Sequence, residues 1–392
     1  MAGEWLEQLG KANNIVSGRP QQWATRAVFF IGGFGTASWA PLVPLFKSRL
    51  AVAEDILGML LLCIGFGSLL TMPLAGVAAA RFGCRRVLAV GSSLFALALL
   101  GLCMVDSVAQ AIPVLLLFGA LLGLLDVSMN IHAILVEKAS GRRLMSGLHA
   151  MWSVGGLAGA GLFGIWMRLG LTPLAATFCS AAIIWGLLGI AGRYLLPSGG
   201  SRDGASAFAV PRGIVAFIGV ICCIAFLVEG AMMDWSGVFL LSVKQQDASL
   251  AGSAFAVFSA AMLTMRLSGD WLTMHIGGRC LLLGGSLLAA VCLLLVVLAP
   301  ELSLVYAGFF GAGLGIANVV PVFYSILGRQ TVMPIPLAVA AVSTLGYMGI
   351  LMGPAVIGLV AHQTNLEMAF LLLAGLIFLM MMISEYVYRK VI

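Results

Sequence analysis

Long apolar runs, separated by short polar or Pro/Gly-rich breaks, limit what this chain can fold into more than any motif does. Twelve can be read, near 23–45, 56–78, 86–105, 111–136, 145–167, 172–195, 214–240, 249–268, 279–299, 302–327, 336–360 and 367–388. Each has the length a helix needs to cross a bilayer, about 20 residues. Barrel strands would be about ten residues long with strict alternation, and no run has that pattern. Charged residues make up 9% of the chain, against about a quarter in a soluble domain. The reading is an all-α membrane protein with twelve transmembrane helices in two pseudo-symmetric six-helix bundles.

The charges that remain are distributed by side. With both termini cytoplasmic, all of the 21 Lys and Arg face inward except Lys47, Arg49, Arg168 and Lys244; Arg266 is counted inside. This is the positive-inside bias. The basic balance therefore reports topology and gives no reason to expect nucleic acid as a partner. The N-terminus has no apolar stretch of the secretory kind. Trp5, Leu6 and Leu9 fit one face of a short surface helix, and a frayed tail fits equally well. Six of the eight Cys lie within apolar runs and two near turns, with no metal-ligand spacing, so neither disulfide nor metal is expected. No nucleophile–base spacing or phosphate loop marks an enzyme, and no cofactor is expected.

The only long polar break is "LPSGGSRDGASAFAVPRG", Leu196 to Gly213. It divides the chain into a cytoplasmic N-terminal segment (1–22), a first bundle (23–196), a cytoplasmic linker (197–212) and a second bundle (213–392). The halves repeat weakly. "FGALLGLLDV" (118–127) aligns without gaps with "FGAGLGIANV" (310–319), and the turn "RFGCRR" has a degraded counterpart in "HIGGRC". Such a duplication points to a secondary transporter whose halves rock around a midplane site.

Asp126 raises the sharpest question, because a carboxylate at mid-span costs about 2.5–3.5 kcal/mol on insertion scales. It lies about fourteen residues into its run, with Asn130 one turn further on the same face. Intramembrane acids usually mark ion or substrate paths. The repeat aligns Asp126 with Asn318, a titratable group opposite a neutral twin, so Asp126 is the expected proton carrier; a carboxyl that only holds helices together is the competing reading. Glu137 falls at the cytoplasmic end, where pairing with Lys138 or Arg142 as an end cap is expected. Glu229 is again near mid-span and is expected to bind substrate, facing a cavity with Ser236. Asp234 is expected to lock the periplasmic side or to face water. His149 and Trp152 open the fifth run, and His132 reads as structural. Trp39, Trp152 and Trp235 are candidate stacking surfaces for a solute, with interfacial belt positions as the alternative. Asn130, Asn318, Tyr324 and Tyr347 complete the candidate substrate set. Glycine runs such as "GILMGPAVIG" give small-residue faces for close helix contact.

Twelve helices, the polar central linker and the "RFGCRR" turn resemble the major facilitator superfamily. Its turn after the second helix reads roughly G-x-x-x-D-R-x-G-R-R; Gly76, Arg81, Gly83, Arg85 and Arg86 match, while the Asp position is Ala80. In the second half that position is Met274, with an acid displaced to Asp270. The resemblance implies gating roles for Arg81, Arg85, Arg86, Asp234, Arg266 and Asp270. The segments 126–161, 228–240 and 343–358 are similar to the YbjJ-type bacterial inner-membrane transporters. More distantly, the Asp126–Asn130 spacing resembles the fucose–proton symporters, whose first-helix Asp reads here as Ala40. Together these imply a monomeric carrier in a bacterial inner membrane. It would move a small polar organic solute with protons by alternating access. A proton-driven exporter of drugs or metabolites, and a membrane receptor or scaffold that no longer transports, are the alternatives.

Overall fold

The computed structural model describes residues 18–199 and 210–392. The proposed surface helix at Trp5, Leu6 and Leu9 and the middle of the linker lie outside the described residues. Among those described, the regular structure is helical throughout. In chain order, α1 is Arg19–Trp39, α2 Val43–Leu50, α3 Glu54–Phe82, α4 Cys84–Met104, α5 Val108–Ser140, α6 Met145–Arg168 and α7 Pro173–Ala191. After the linker come α8 Ile214–Ser242, α9 Ser253–Leu298, α10 Leu302–Ile316, α11 Val319–Leu327, α12 Ile335–Gln363 and α13 Leu366–Val391.

Among the described residues, eleven stretches are long and apolar enough to cross a bilayer. One of them, α9, runs for 46 residues, about 69 Å at 1.5 Å per residue and enough for two crossings. A non-helical Gly277 divides it into two helices that meet at a kink, matching the runs near 249–268 and 279–299. Conversely, α1 and α2 make one crossing around a 3-10 turn at Ala40–Leu42. The run near 302–327 is broken between α10 and α11.

Composition and helix ends agree with this layout. Ser107 and Thr172 cap α5 and α7 through their hydroxyls, and Gly141 ends α5 in the left-handed region; these are ordinary cap chemistries. The apolar residues Leu62, Phe66 and Leu70 recur every four positions on α3 and are 61%, 63% and 60% exposed. Water would not tolerate such a stripe, but lipid does. Between helices the contact is made by small residues. A Cβ on Gly119 or Gly123 of α5 would collide with the α3 backbone at Ile64 or Ser68. The Ser68 hydroxyl donates to the Gly119 carbonyl at 2.7 Å. Close backbone approach and such hydrogen bonds replace the hydrophobic effect as the source of helix association in lipid.

By packing, the described residues form two compact units. One draws on Met1–Leu144, Met151–Ala209 and Pro334–Ala340, the other on Met145–Ala150, Val210–Met333 and Ala341–Ile392.

Candidate functional site

In the first unit, Asp126 sits half-buried near the middle of the 33-residue α5, about 27 Å from its start. The Asn130 amide donates to the Asp126 backbone carbonyl at 2.9 Å and lies 3.4 Å from Oδ1 of the carboxylate. Asn130 itself is buried, and its Oδ1 has no partner among the described residues. Trp152 lies over Gly32 of α1, where a Cβ would run into the indole ring. Trp39 is in the core, edge-on to Phe46 with ring centroids 5.1 Å apart and close to Phe118. With 6% of its surface exposed, it has no face left for a solute, which corrects the expected stacking role. His132 is structural as read. Its Nδ1 is 3.2 Å from the Thr25 hydroxyl, and its Nε2 accepts from the Leu196 amide at 2.9 Å. That bond pins the start of the linker to α5. Glu137 acts as an end cap but with other partners than expected. It accepts from the Leu144 amide at 2.8 Å and lies 3.8 Å from Arg143.

In the second unit, the sequence reading missed the central arrangement. Pro321 has no N–H, so the Ala317 carbonyl four residues earlier loses its helical donor. The helix breaks there: α10 ends at Ile316 and α11 begins at Val319, with Asn318 at φ −101°, ψ 2°. Arg266 Nε donates to the orphaned Ala317 carbonyl at 3.2 Å. Its Nη2 lies 3.4 Å from Glu229 Oε2. Arg266 is 13 residues into α9 and its side chain is 8% exposed. It is therefore a mid-span cation and not the cytoplasmic charge counted from the sequence. Glu229, midway along α8, is its counter-charge, at 30% side-chain exposure. Asn318 is not a mid-helix twin of Asp126, because it occupies the break. Its Nδ2 donates to the Met265 carbonyl at 3.1 Å, and Gly269 has no Cβ to obstruct it.

The remaining candidates divide clearly. Asp270 accepts from the Ser146 and Gly147 amides, both at 2.9 Å, so a carboxylate caps the first turn of α6. At the aligned position of the first half stands Gly76, which packs against Pro336 and Ala340 on the first turn of α12. Tyr324 is buried, its hydroxyl 2.5 Å from Ser343 and its ring 5.9 Å from His149. Trp235 is tied to α12 through a 3.1 Å bond to the Pro354 carbonyl. Tyr347 is half-buried on α12. Ser236 is buried away from solvent, whereas Asp234 is exposed and makes no ion pair among the described residues, against the expected lock. Arg81, Arg85 and Arg86 are exposed and likewise meet no carboxylate among the described residues.

A bundle of spanning helices with an acid at mid-span in one unit, and in the other an ion pair whose arginine also bonds to the break in a neighbouring helix, defines a polytopic membrane carrier. The model of the Major Facilitator Superfamily matches residues 27–331, and the chain belongs to that superfamily. It is 45% identical over 356 residues to an uncharacterised MFS-type transporter of Yersinia pestis, covering 91% of this chain and 93% of that one. It is 31% identical over 348 residues to the membrane protein MosC of Rhizobium meliloti, covering 88% and 84%. Among solved structures, the fucose–proton symporter of E. coli matches with a TM-score of 0.75 at 16% identity, over 93% of this chain and 98% of that one. A bacterial homologue of the iron transporter ferroportin matches at 0.77 and 13%, over 94% and 99%. At these identities the structural likeness establishes the fold. The protein is a multi-pass transporter of this superfamily and not an enzyme.

Proposed function

We propose that the protein is a proton-coupled secondary transporter of a small polar organic solute, working by alternating access as a monomer. Its membrane is the bacterial inner membrane, with both termini cytoplasmic; the positive-inside bias and the bacterial relatives support this. The observation that carries the proton assignment is Asp126 itself, a half-buried carboxyl at the middle of a spanning helix with Asn130 one turn away. A coupled cycle needs a group that is charged in one state and neutral in another, at a depth that both sides reach in turn. The symporter resemblance, and the fucose–proton symporter among the structural neighbours, support the same reading. Glu229 and Arg266 supply a fixed pair of opposite charges for binding the solute. Within the same unit Asn318 at the helix break adds an amide, and Trp235 and Tyr347 add partly exposed rings; in the first unit Trp152 offers a partly exposed ring of its own. Asp270 is assigned to gating, through its bonds to the first turn of α6.

The test is Asp126→Asn in reconstituted protein. It should abolish accumulation driven by a pH gradient, keep exchange down the solute's own gradient and leave thermal stability equal or higher. Accumulation against a gradient by this variant would make the residue structural.

A further inference from the structure

The turn between α3 and α4 is built differently from its counterpart within α9. In the second half, Arg279 is neutralised: both its Nε and its Nη2 bond to the Glu385 carboxylate, the former at 2.8 Å, and Arg389 also bonds to it. In the first half the aligned residue is Arg85. It lines an open cavity of about 620 Å³ together with Arg81, Arg86, Gly83, Pro197 and Ser198. No carboxylate among the described residues faces these three guanidinium groups. Ala80, where the family's turn carries Asp, forms part of the wall.

Two further features point to an anion. Arg85 and Arg86 stand in the first turn of α4, the positive end of a helix dipole, which ordinarily selects acidic side chains. Leu196 and Ser198, at the start of the linker, are held to this turn by backbone bonds. The Ser198 and Leu196 carbonyls accept from the Cys84 and Arg85 amides at 3.3 and 3.2 Å, and His132 holds the Leu196 amide. Among the described residues the cavity is thus a cationic concavity without a counter-charge, at the end of a spanning helix. Below it, one and two turns beyond Arg86, Val90 and Leu94 are 59% and 43% exposed, with Leu97 beside them at 51%. Such a stripe faces acyl chains.

We propose that this cavity binds the phosphate of an anionic phospholipid. Arg81, Arg85 and Arg86 hold the headgroup, and the chains lie along Val90, Leu94 and Leu97. Guanidinium groups suit phosphate oxygens through paired N–H bonds, and basic pockets beside spanning helices are the usual seats of anionic headgroups. The apolar stripe continuing from Arg86 favours a lipid over a soluble phosphate.

The experiment is thermal unfolding of the full chain in a neutral detergent with added phosphatidylglycerol, phosphatidylcholine or inorganic phosphate. Native mass spectrometry counts retained lipids alongside. For the wild type and for Arg279→Gln, phosphatidylglycerol should raise Tm by about 2 °C or more, and one lipid should be retained. The double variant Arg85→Gln/Arg86→Gln should match the wild type in phosphatidylcholine and lose both effects, while Arg86→Lys keeps part of each. An equal rise in the double variant overturns the site. A rise with inorganic phosphate as large as that with phosphatidylglycerol overturns the lipid assignment and leaves a soluble anion. If the double variant is already less stable in phosphatidylcholine, Arg81→Gln serves in its place, and unchanged lipid retention there overturns the proposal.

Discussion

Gly83 and Gly277 hold almost the same backbone conformation, φ 82°, ψ 147° and φ 81°, ψ 149°. They occupy aligned places in "RFGCRR" and "HIGGRC", so the duplication persists in backbone geometry where the side chains have drifted. This region is open essentially to glycine alone. The surroundings differ, however. A Cβ at Gly83 would collide with the Pro197 carbonyl, while one at Gly277 meets nothing within 4 Å. Gly277→Ala should therefore cost backbone strain only, about 1–3 kcal/mol. Gly83→Ala should cost more, since the linker must also shift. Thermal unfolding of the two variants side by side checks the order, and an equal or reversed order contradicts this account.

Arg266 and Glu229 invite a double-mutant cycle. Arg266→Met leaves both a mid-span carboxylate and the Ala317 carbonyl without their partner, and should destabilise by about 3–5 kcal/mol. Glu229→Met should cost less, because it removes the carboxylate beside Arg266 Nη2 while Nε keeps the Ala317 carbonyl. The double variant should recover part of the loss, because removing both charges also removes their desolvation cost. Additive losses would mean that the pair is not coupled.

Glu229→Gln tests binding separately. If Glu229 contacts the solute and does not carry protons, affinity should fall by a similar factor at every pH. A loss confined to high pH would make Glu229 a second proton site. Direct binding measurements across pH distinguish the two.

Asp270 should behave as a helix cap. Asp270→Ala removes the acceptor for the Ser146 and Gly147 amides and should cost about 0.5–2 kcal/mol. Asp270→Asn keeps an acceptor and should cost less. If the two variants melt alike, at the wild-type temperature, the carboxylate has no hold on α6.

Topology is checked by impermeant cysteine labelling in intact cells. A probe at Gln246 should be reached from outside and one at Ser201, in the linker beyond the described residues, should not. Labelling of Ser201 would invert the assigned orientation.

The spanning helices were legible because run length and charge depletion are properties of the chain alone. Asp126 stood out for the same reason. Partner choice was not legible, since it depends on how each helix is rotated and how far it rises. Glu137 was expected to meet Lys138 or Arg142 and instead holds Arg143 and the Leu144 amide. Trp39 looked available and is enclosed by Phe46 and Phe118. Arg266 was placed by the rule for loop charges, which assumes that every Arg lies outside the membrane. The available clue was "AMLTMRLSG", an Arg deep in an apolar run, together with an unexplained Pro321.

Pro321 aligns with Met129, and that one difference separates the fates of two copies of the same ancestral helix. The copy with methionine kept the amide at this place, and its acid remains within one continuous helix. The copy with proline surrendered one carbonyl, and an arginine from a neighbouring helix became its substitute donor. From then on the arginine could be lost only together with the proline, so the two codons are expected to be inherited as a pair.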